Sequence, residues 1–192
     1  MAIFGFGKKT FGELTEQEIL ALAVSSEEED GLIYAAYADH LREAFPASAA
    51  VFDEMAEEES EHRRRLIDMH REKFGERMPL IRREHVRGIY ERRPTWLVKT
   101  LPLETIRREA MLMEAQAHRF YRQAAQVTAD ASIRKLLLDL AEAEKSHVSL
   151  AHRLGLTVAP DARAEEDETA RRMFVLQYVQ PGLVGLMDGS VS

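Results

Sequence analysis

The sequence has 192 residues, 45% of them hydrophobic, and a formal net charge of −7, which suits one medium domain with a sizeable core. It contains no cysteine, so a disulfide framework, a zinc finger and a thiolate-held iron–sulfur cluster are excluded, and any metal must be held by oxygen and imidazole. The opening MAIFGFGKKT has neither the apolar run of a secretory signal nor the arginine-rich pattern of a transit peptide, so secretion is not expected.

In chain order, Thr15 followed by Glu18 is a capping box that should start a long helix. That helix carries the stripe Ile19, Ala23, Glu27, Asp30, Tyr34, Tyr37 and Leu41 and should end near Pro46. Ser48 is able to cap a second helix running to about Lys73, with the stripe Phe52, Met55, Glu59, His62, Leu66 and Met69. From Phe74 to Leu103 no helical period is sustained, and Gly75, Pro79, Gly88, Pro94 and Pro102 mark a long connection that fits a crossover between two halves of a bundle. A third helix should span about Leu103 to Val127 with the stripe Ile106, Ala110, Glu114, Ala117, Tyr121 and Ala124. The fourth carries Ile133, Leu137, Leu140, Glu144, His147, Ala151 and Leu154 and stops at Gly155. A polar linker leads to a fifth helical stretch from about Glu165 to Tyr178 and then to an apolar, glycine-containing end. No segment shows strand alternation, so the expected fold is an all-α four-helix bundle with antiparallel pairs one–two and three–four, a long crossover and a C-terminal helical extension.

Charge is unevenly distributed along this frame. From Glu13 to Glu61 the single cation is Arg42, whereas RRR, RR and RR clusters lie between Arg63 and Arg93. This basic middle could be a solvated face or could meet anionic lipid or an acidic partner; no nucleic-acid partner is expected.

The chemistry lies on the apolar stripes. Glu59 and His62, and again Glu144 and His147, form two Glu-x-x-His pairs, and residues three apart on a helix project to the same side. One such pair in an acid-rich helix is a weak signal. Two pairs on core stripes are stronger, because buried carboxylates are costly unless cations lie between them. The stripe carboxylates Glu27 and Glu114 complete a set of four glutamates and two histidines, the donor inventory of di-iron carboxylate bundles. Glu27 precedes Glu59 by 32 residues and Glu114 precedes Glu144 by 30, and each lone glutamate is followed seven residues later by a tyrosine, Tyr34 and Tyr121. The chain thus reads as two copies of one helical hairpin. The tyrosines read as core aromatics able to hydrogen-bond a ligand carboxylate. Glu58 is held as the alternative ligand on the second helix and His118 as a rim residue, while His40, His70, His85 and His152 read as surface residues. A carboxylate-rich site of this kind suits iron, with manganese as the other candidate.

The four-helix pattern with Glu27, EEESEH, Glu114 and EAEKSH resembles the rubrerythrin branch of the ferritin-like superfamily over roughly residues 15–155. The longer runs ALAVSSEEEDGLIY, EHRRRLIDMHREKFG, PLIRREHVRG and QPGLVGLMDGSVS are similar to membrane-bound ferritins, in which an erythrin-like domain precedes a vacuolar-iron-transporter-like membrane domain. The resemblance implies that Glu27, Glu59, His62, Glu114, Glu144 and His147 hold two iron ions, with Glu59 and Glu144 bridging, and that Fe(II) is oxidised by oxygen or hydrogen peroxide. It also implies a role in iron export and protection from oxidative stress at the cytoplasmic face of a bacterial inner membrane. A non-catalytic iron or manganese sensor that gates a transporter is the alternative. The implied division is an N-terminal segment 1–14, a di-iron bundle 15–155, a linker and helix 156–180, and at 181–192 the start of a truncated membrane domain. A homodimer is expected. Typical rubrerythrins carry a further carboxylate where this chain has Ala117, and the four-cysteine rubredoxin centre of full-length relatives is absent, so a self-contained peroxidase cycle is not expected.

Overall fold

A computed structural model describes residues 8–89, 101–154, 164–166 and 168–170, with the side chains of 146–154 outside that description. Four long helices dominate it: α1 Glu16–Leu41, α2 Pro46–Phe74, α3 Leu103–Val127 and α4 Ala131–Leu154. Among the described residues there is no β-strand, only an isolated bridge between Lys9 and Val86.

The helix boundaries have local causes. At the start of α1 the Glu18 amide donates to Thr15 Oγ1 at 3.2 Å and the Thr15 amide donates to Glu18 Oε2 at 3.0 Å, which is the capping box read from the sequence. Helix α2 begins with Pro46 at its first position, where the missing N–H costs nothing. Ser48 therefore lies inside the first turn instead of capping it. At α4, Asp130 Oδ1 accepts from the amides of Ser132 and Ile133 at 2.8 and 3.0 Å.

The helices pair as α1 with α2 and α3 with α4. Contacts between Arg42 and Asp53, and between Glu27 and His62, show α2 descending as α1 rises. Tyr37 to Glu109, Tyr34 to Glu114 and Tyr121 to Glu27 show that α3 also descends against α1. Helices α2 and α3 therefore run the same way, and the connection between them must return the length of the bundle. With about 1.5 Å of rise per residue, α2 is roughly 43 Å long, a span no tight turn can bridge. The described part of the connection climbs along α1: Gln17 Nε2 donates to Arg77 O at 2.9 Å and Ser25 Oγ to Ile81 O at 3.2 Å. A 3-10 turn at Arg83–His85 is its one helical feature among the described residues.

Two apolar layers fill the bundle. One joins Leu20, Leu66, Phe120, Ile133 and Leu137, and the other joins Tyr37, Leu41, Phe52, Ile106 and Met113. Between them lies a polar layer on all four helices. Expectation and structure part at His70, read as a surface residue, which is 1% exposed and lies with its ring centroid 5.7 Å from that of Phe74. The stripe reading stopped at Met69, yet position 70 is two turns beyond His62 plus one residue and still faces inward.

Of the expected fifth helix, helical backbone is described at 164–166 and 168–170; the remainder, and all of 181–192, lie outside the described residues. This segment is docked by charge. Glu166, 4% exposed, accepts from the Ser48 amide at 3.0 Å, from Ser48 Oγ at 2.8 Å and from Arg107 Nη2 at 2.9 Å. It thereby satisfies an orphan amide at the N-terminus of α2 while pairing a buried guanidinium. No helix among the described residues is long and apolar enough to cross a membrane.

Candidate metal centre

The polar layer is built from the stripe residues of all four helices. Glu27 on α1, Glu59 and His62 on α2, Glu114 on α3 and Glu144 on α4 are each at most 6% exposed. One donor atom from each of Glu27, Glu59, His62 and Glu144 lies within 4.8 Å of all the others. His62 Nδ1 is at the centre, 3.2 Å from Glu144 Oε1, 3.4 Å from Glu27 Oε2 and 3.5 Å from Glu59 Oε2. At these distances the imidazole is surrounded by three carboxyl groups, one each from α1, α2 and α4.

Glu114 on α3 is buried beside Glu144. Tyr34 on α1 donates its hydroxyl to Glu114 Oε1 at 2.5 Å, and Tyr121 on α3 donates to Glu27 Oε1. Each tyrosine thus supports the carboxylate of the other hairpin. Burial, followed by the charges of the surrounding carboxylates, pushes both phenols well above their usual range, so both remain donors at neutral pH.

The carboxyl groups are driven apart in proton affinity. Burial and then the Glu27 charge push Glu59 well above the ordinary carboxylate value. Burial and then the charges of Glu114 and Glu27 do the same to Glu144. Burial also acts on Glu27, but the closeness of Glu59 and His62, the His62 charge and the hydrogen bond from Tyr121 outweigh it and hold Glu27 below that value. For His62 burial again opposes the charge, yet contact with Glu27 and Glu59 pushes it up to about 10.

The donor set fits metal ions. Glu27 Oε2 and Glu59 Oε2 are buried without a hydrogen-bond donor, and among the described residues the cationic group that faces them is His62. Buried oxygens of this kind are expensive unless a cation satisfies them. Oxygen-rich donors with little imidazole suit hard or borderline divalent ions such as Fe, Mn or Co.

Of the residues read from the sequence, Glu27, Glu59, His62, Glu114 and Glu144 are brought together in one layer. His147 follows Glu144 by nearly one turn on α4, but its side chain is outside the described residues. Glu58 is exposed and turned away from the layer. His118 Nδ1 donates to Ala141 O at 2.7 Å, beside the layer and not within it.

Sequence reasoning missed one group. Asp30, one turn from Glu27, is 4% exposed and meets Arg83, 5% exposed, from the crossover connection. A buried aspartate on a core stripe demands a cation. That signal was present at Asp30, while Arg83 was read with the basic middle of the chain as a residue facing outward.

The sequence profile named Rubrerythrin matches residues 18–155. No curated protein matches the chain. Among solved structures, a hypothetical protein from Pyrococcus furiosus is similar, with a TM-score of 0.57 and 20% identity over 84% of this chain and 94% of that one; at this identity the likeness shows the fold alone.

Proposed function

Because the chain belongs to the rubrerythrin family, we propose that its polar layer binds two iron ions and that the domain captures Fe(II) and oxidises it with oxygen or hydrogen peroxide. The observation that carries this reading is the buried quartet Glu27, Glu59, His62 and Glu144, whose donor atoms converge within 4.8 Å, with Glu114 facing it under Tyr34.

In this reading Glu27, Glu59, His62, Glu114, Glu144 and His147 are the ligands. Glu59 and Glu144, one from each hairpin, would be the ligands shared between the two ions. A bound pair of ferrous ions would supply two electrons to one oxidant molecule, which avoids one-electron products. The residues of the chain do the rest. Tyr34 and Tyr121 hold Glu114 and Glu27 in orientation by donating one hydrogen bond each, as outer partners of ligands do. As a ligand His62 would have to be the neutral imidazole. The two apolar layers keep water from the donor atoms, which strengthens every charge interaction inside.

We further propose that the domain serves a membrane-bound ferritin that exports iron under oxidative stress at the cytoplasmic face of a bacterial inner membrane, and that it acts as a homodimer. The support is the similarity of QPGLVGLMDGSVS and PLIRREHVRG to that family. Light scattering on the purified chain tests the dimer.

Activity is tested by adding Fe(II) to the protein without oxygen and then admitting oxygen or peroxide in limited amounts. Oxidant consumption over several Fe(II) additions per chain supports oxidation as the function. Stable Fe(II) binding without consumption assigns the site to sensing or delivery of metal.

A further inference from the structure

The crossover connection contributes a side chain to the surroundings of the metal layer. Every N–H of the Arg83 guanidinium has an acceptor on α1. Nε donates to Ser26 Oγ at 3.1 Å, Nη1 to Glu29 Oε2 at 2.9 Å and Asp30 Oδ1 at 3.0 Å, and Nη2 to Ser26 O at 3.2 Å and Asp30 Oδ2 at 2.8 Å. Five directed donors in a planar fork leave little rotational freedom. The residues gripped, Ser26 and Asp30, bracket Glu27, whose carboxylate is held from the other side by Tyr121.

The grip is asymmetric in the bundle. Asp30 stands to Glu27 as Ala117 stands to Glu114, three residues on, so among the described residues the additional buried acid belongs to the α1 half of the layer. The charge of Asp30 is felt at Glu144 and at Tyr34. Arg83 balances that charge one helical turn from Glu27, where an anion repels the neighbouring carboxylates. The connection is itself fastened: the Lys9 amide donates to His85 O at 2.9 Å and the Arg87 amide to Lys9 O at 2.7 Å.

We propose that Arg83 is a positioning residue of the metal centre: by gripping Ser26 and Asp30 it fixes the α1 turn that presents Glu27 and keeps Asp30 out of the coordination shell. The assignment rests on the metal-site reading above. It makes the crossover connection part of the centre and not merely a link between hairpins.

Cobalt(II), titrated into the whole chain while its visible ligand-field spectrum and affinity are recorded, separates the two levels of the account. For Arg83→Gln the expected result is a loss of about tenfold or more in affinity, the usual scale for outer partners of ligands, with a changed spectrum. Arg83→Lys keeps a charge near Asp30 but cannot span both acceptors, and should lie between wild type and Arg83→Gln. If Arg83→Gln binds cobalt with wild-type affinity and spectrum, the positioning role is overturned even if the melting temperature falls. Should Arg83→Gln fail to fold, Arg83→Lys decides: wild-type affinity and spectrum overturn the assignment, and a weakened, altered site upholds it. A wild-type chain that binds no cobalt overturns the metal-site reading itself, and this inference with it.

Discussion

Tyr34 on α1 donates its hydroxyl to Glu114 on α3 at 2.5 Å, tying the first hairpin to the second through a metal-layer carboxylate. Tyr121 returns the contact from α3 to Glu27 on α1, so the sequence repeat becomes a reciprocal clamp. Removal of either hydroxyl should therefore weaken the site without dismantling the core, since the phenyl ring remains. Tyr34→Phe and Tyr121→Phe should each lose about tenfold in metal affinity and cost about 1 to 3 kcal/mol of stability, the scale of a buried hydrogen bond to a charged group. Metal titration paired with thermal melting measures both, and the two variants should behave alike.

The carboxylates impose a cost on the metal-free fold that the metal offsets. Glu59→Gln or Glu144→Gln removes a buried acid whose proton affinity is raised by burial and by its neighbours. Each variant should stabilise the metal-free protein by about 0.5 to 2 kcal/mol, the scale found when function is traded for stability. Each should also lose most of the stabilisation that metal confers on the wild type. Denaturant unfolding with and without added metal should show these opposite signs.

A pH window follows from His62. Its proton affinity is raised from 6.5 unfolded to about 10 folded, so its contribution to stability is complete below pH 6.5 and is lost as pH rises through about 10. Glu59 and Glu144, also raised, act in the same direction above their unfolded value, while lowered Glu27 acts oppositely only in the acid range. The metal-free protein should therefore be less stable at pH 9 than at pH 6.5. Metal affinity should rise over the same interval because coordination expels the His62 proton. Melting temperatures across pH, taken with and without metal, should diverge accordingly.

At the far end of the bundle, Arg107 and Glu166 are both buried and pair at 2.9 Å. Arg107→Met strands the Glu166 carboxylate and should cost about 3 kcal/mol or more. Combining it with Glu166→Gln should recover part of that loss, because no buried charge then remains. Limited proteolysis near residues 164–170 should accelerate in the single variant and less so in the pair.

The four helices were legible because period and punctuation agree along most of the chain: Thr15 with Glu18, Pro46, and the turn around Asp130 each mark a boundary that the backbone respects. The carboxylate layer was legible because acids on an apolar stripe contradict their surroundings. What escaped were pairings between segments distant in sequence. Nothing local to Arg83 distinguishes it from Arg82, which is exposed; only the path of the crossover along α1 decides which arginine turns inward. Glu166 is similar, since its partners Ser48 and Arg107 lie on two other helices. His70 shows the related limit of a stripe read by eye, where the edge of the buried face depends on what packs against it.

The central claim is that the buried layer exists to hold two metal ions, and anaerobic Fe(II) titration of wild type beside Glu59→Ala and Glu144→Ala tests it most directly. Two ions bound per wild-type chain, with binding lost in both variants while each remains helical, is the predicted result. Unchanged Fe(II) binding in the variants, or none in the wild type, would contradict it.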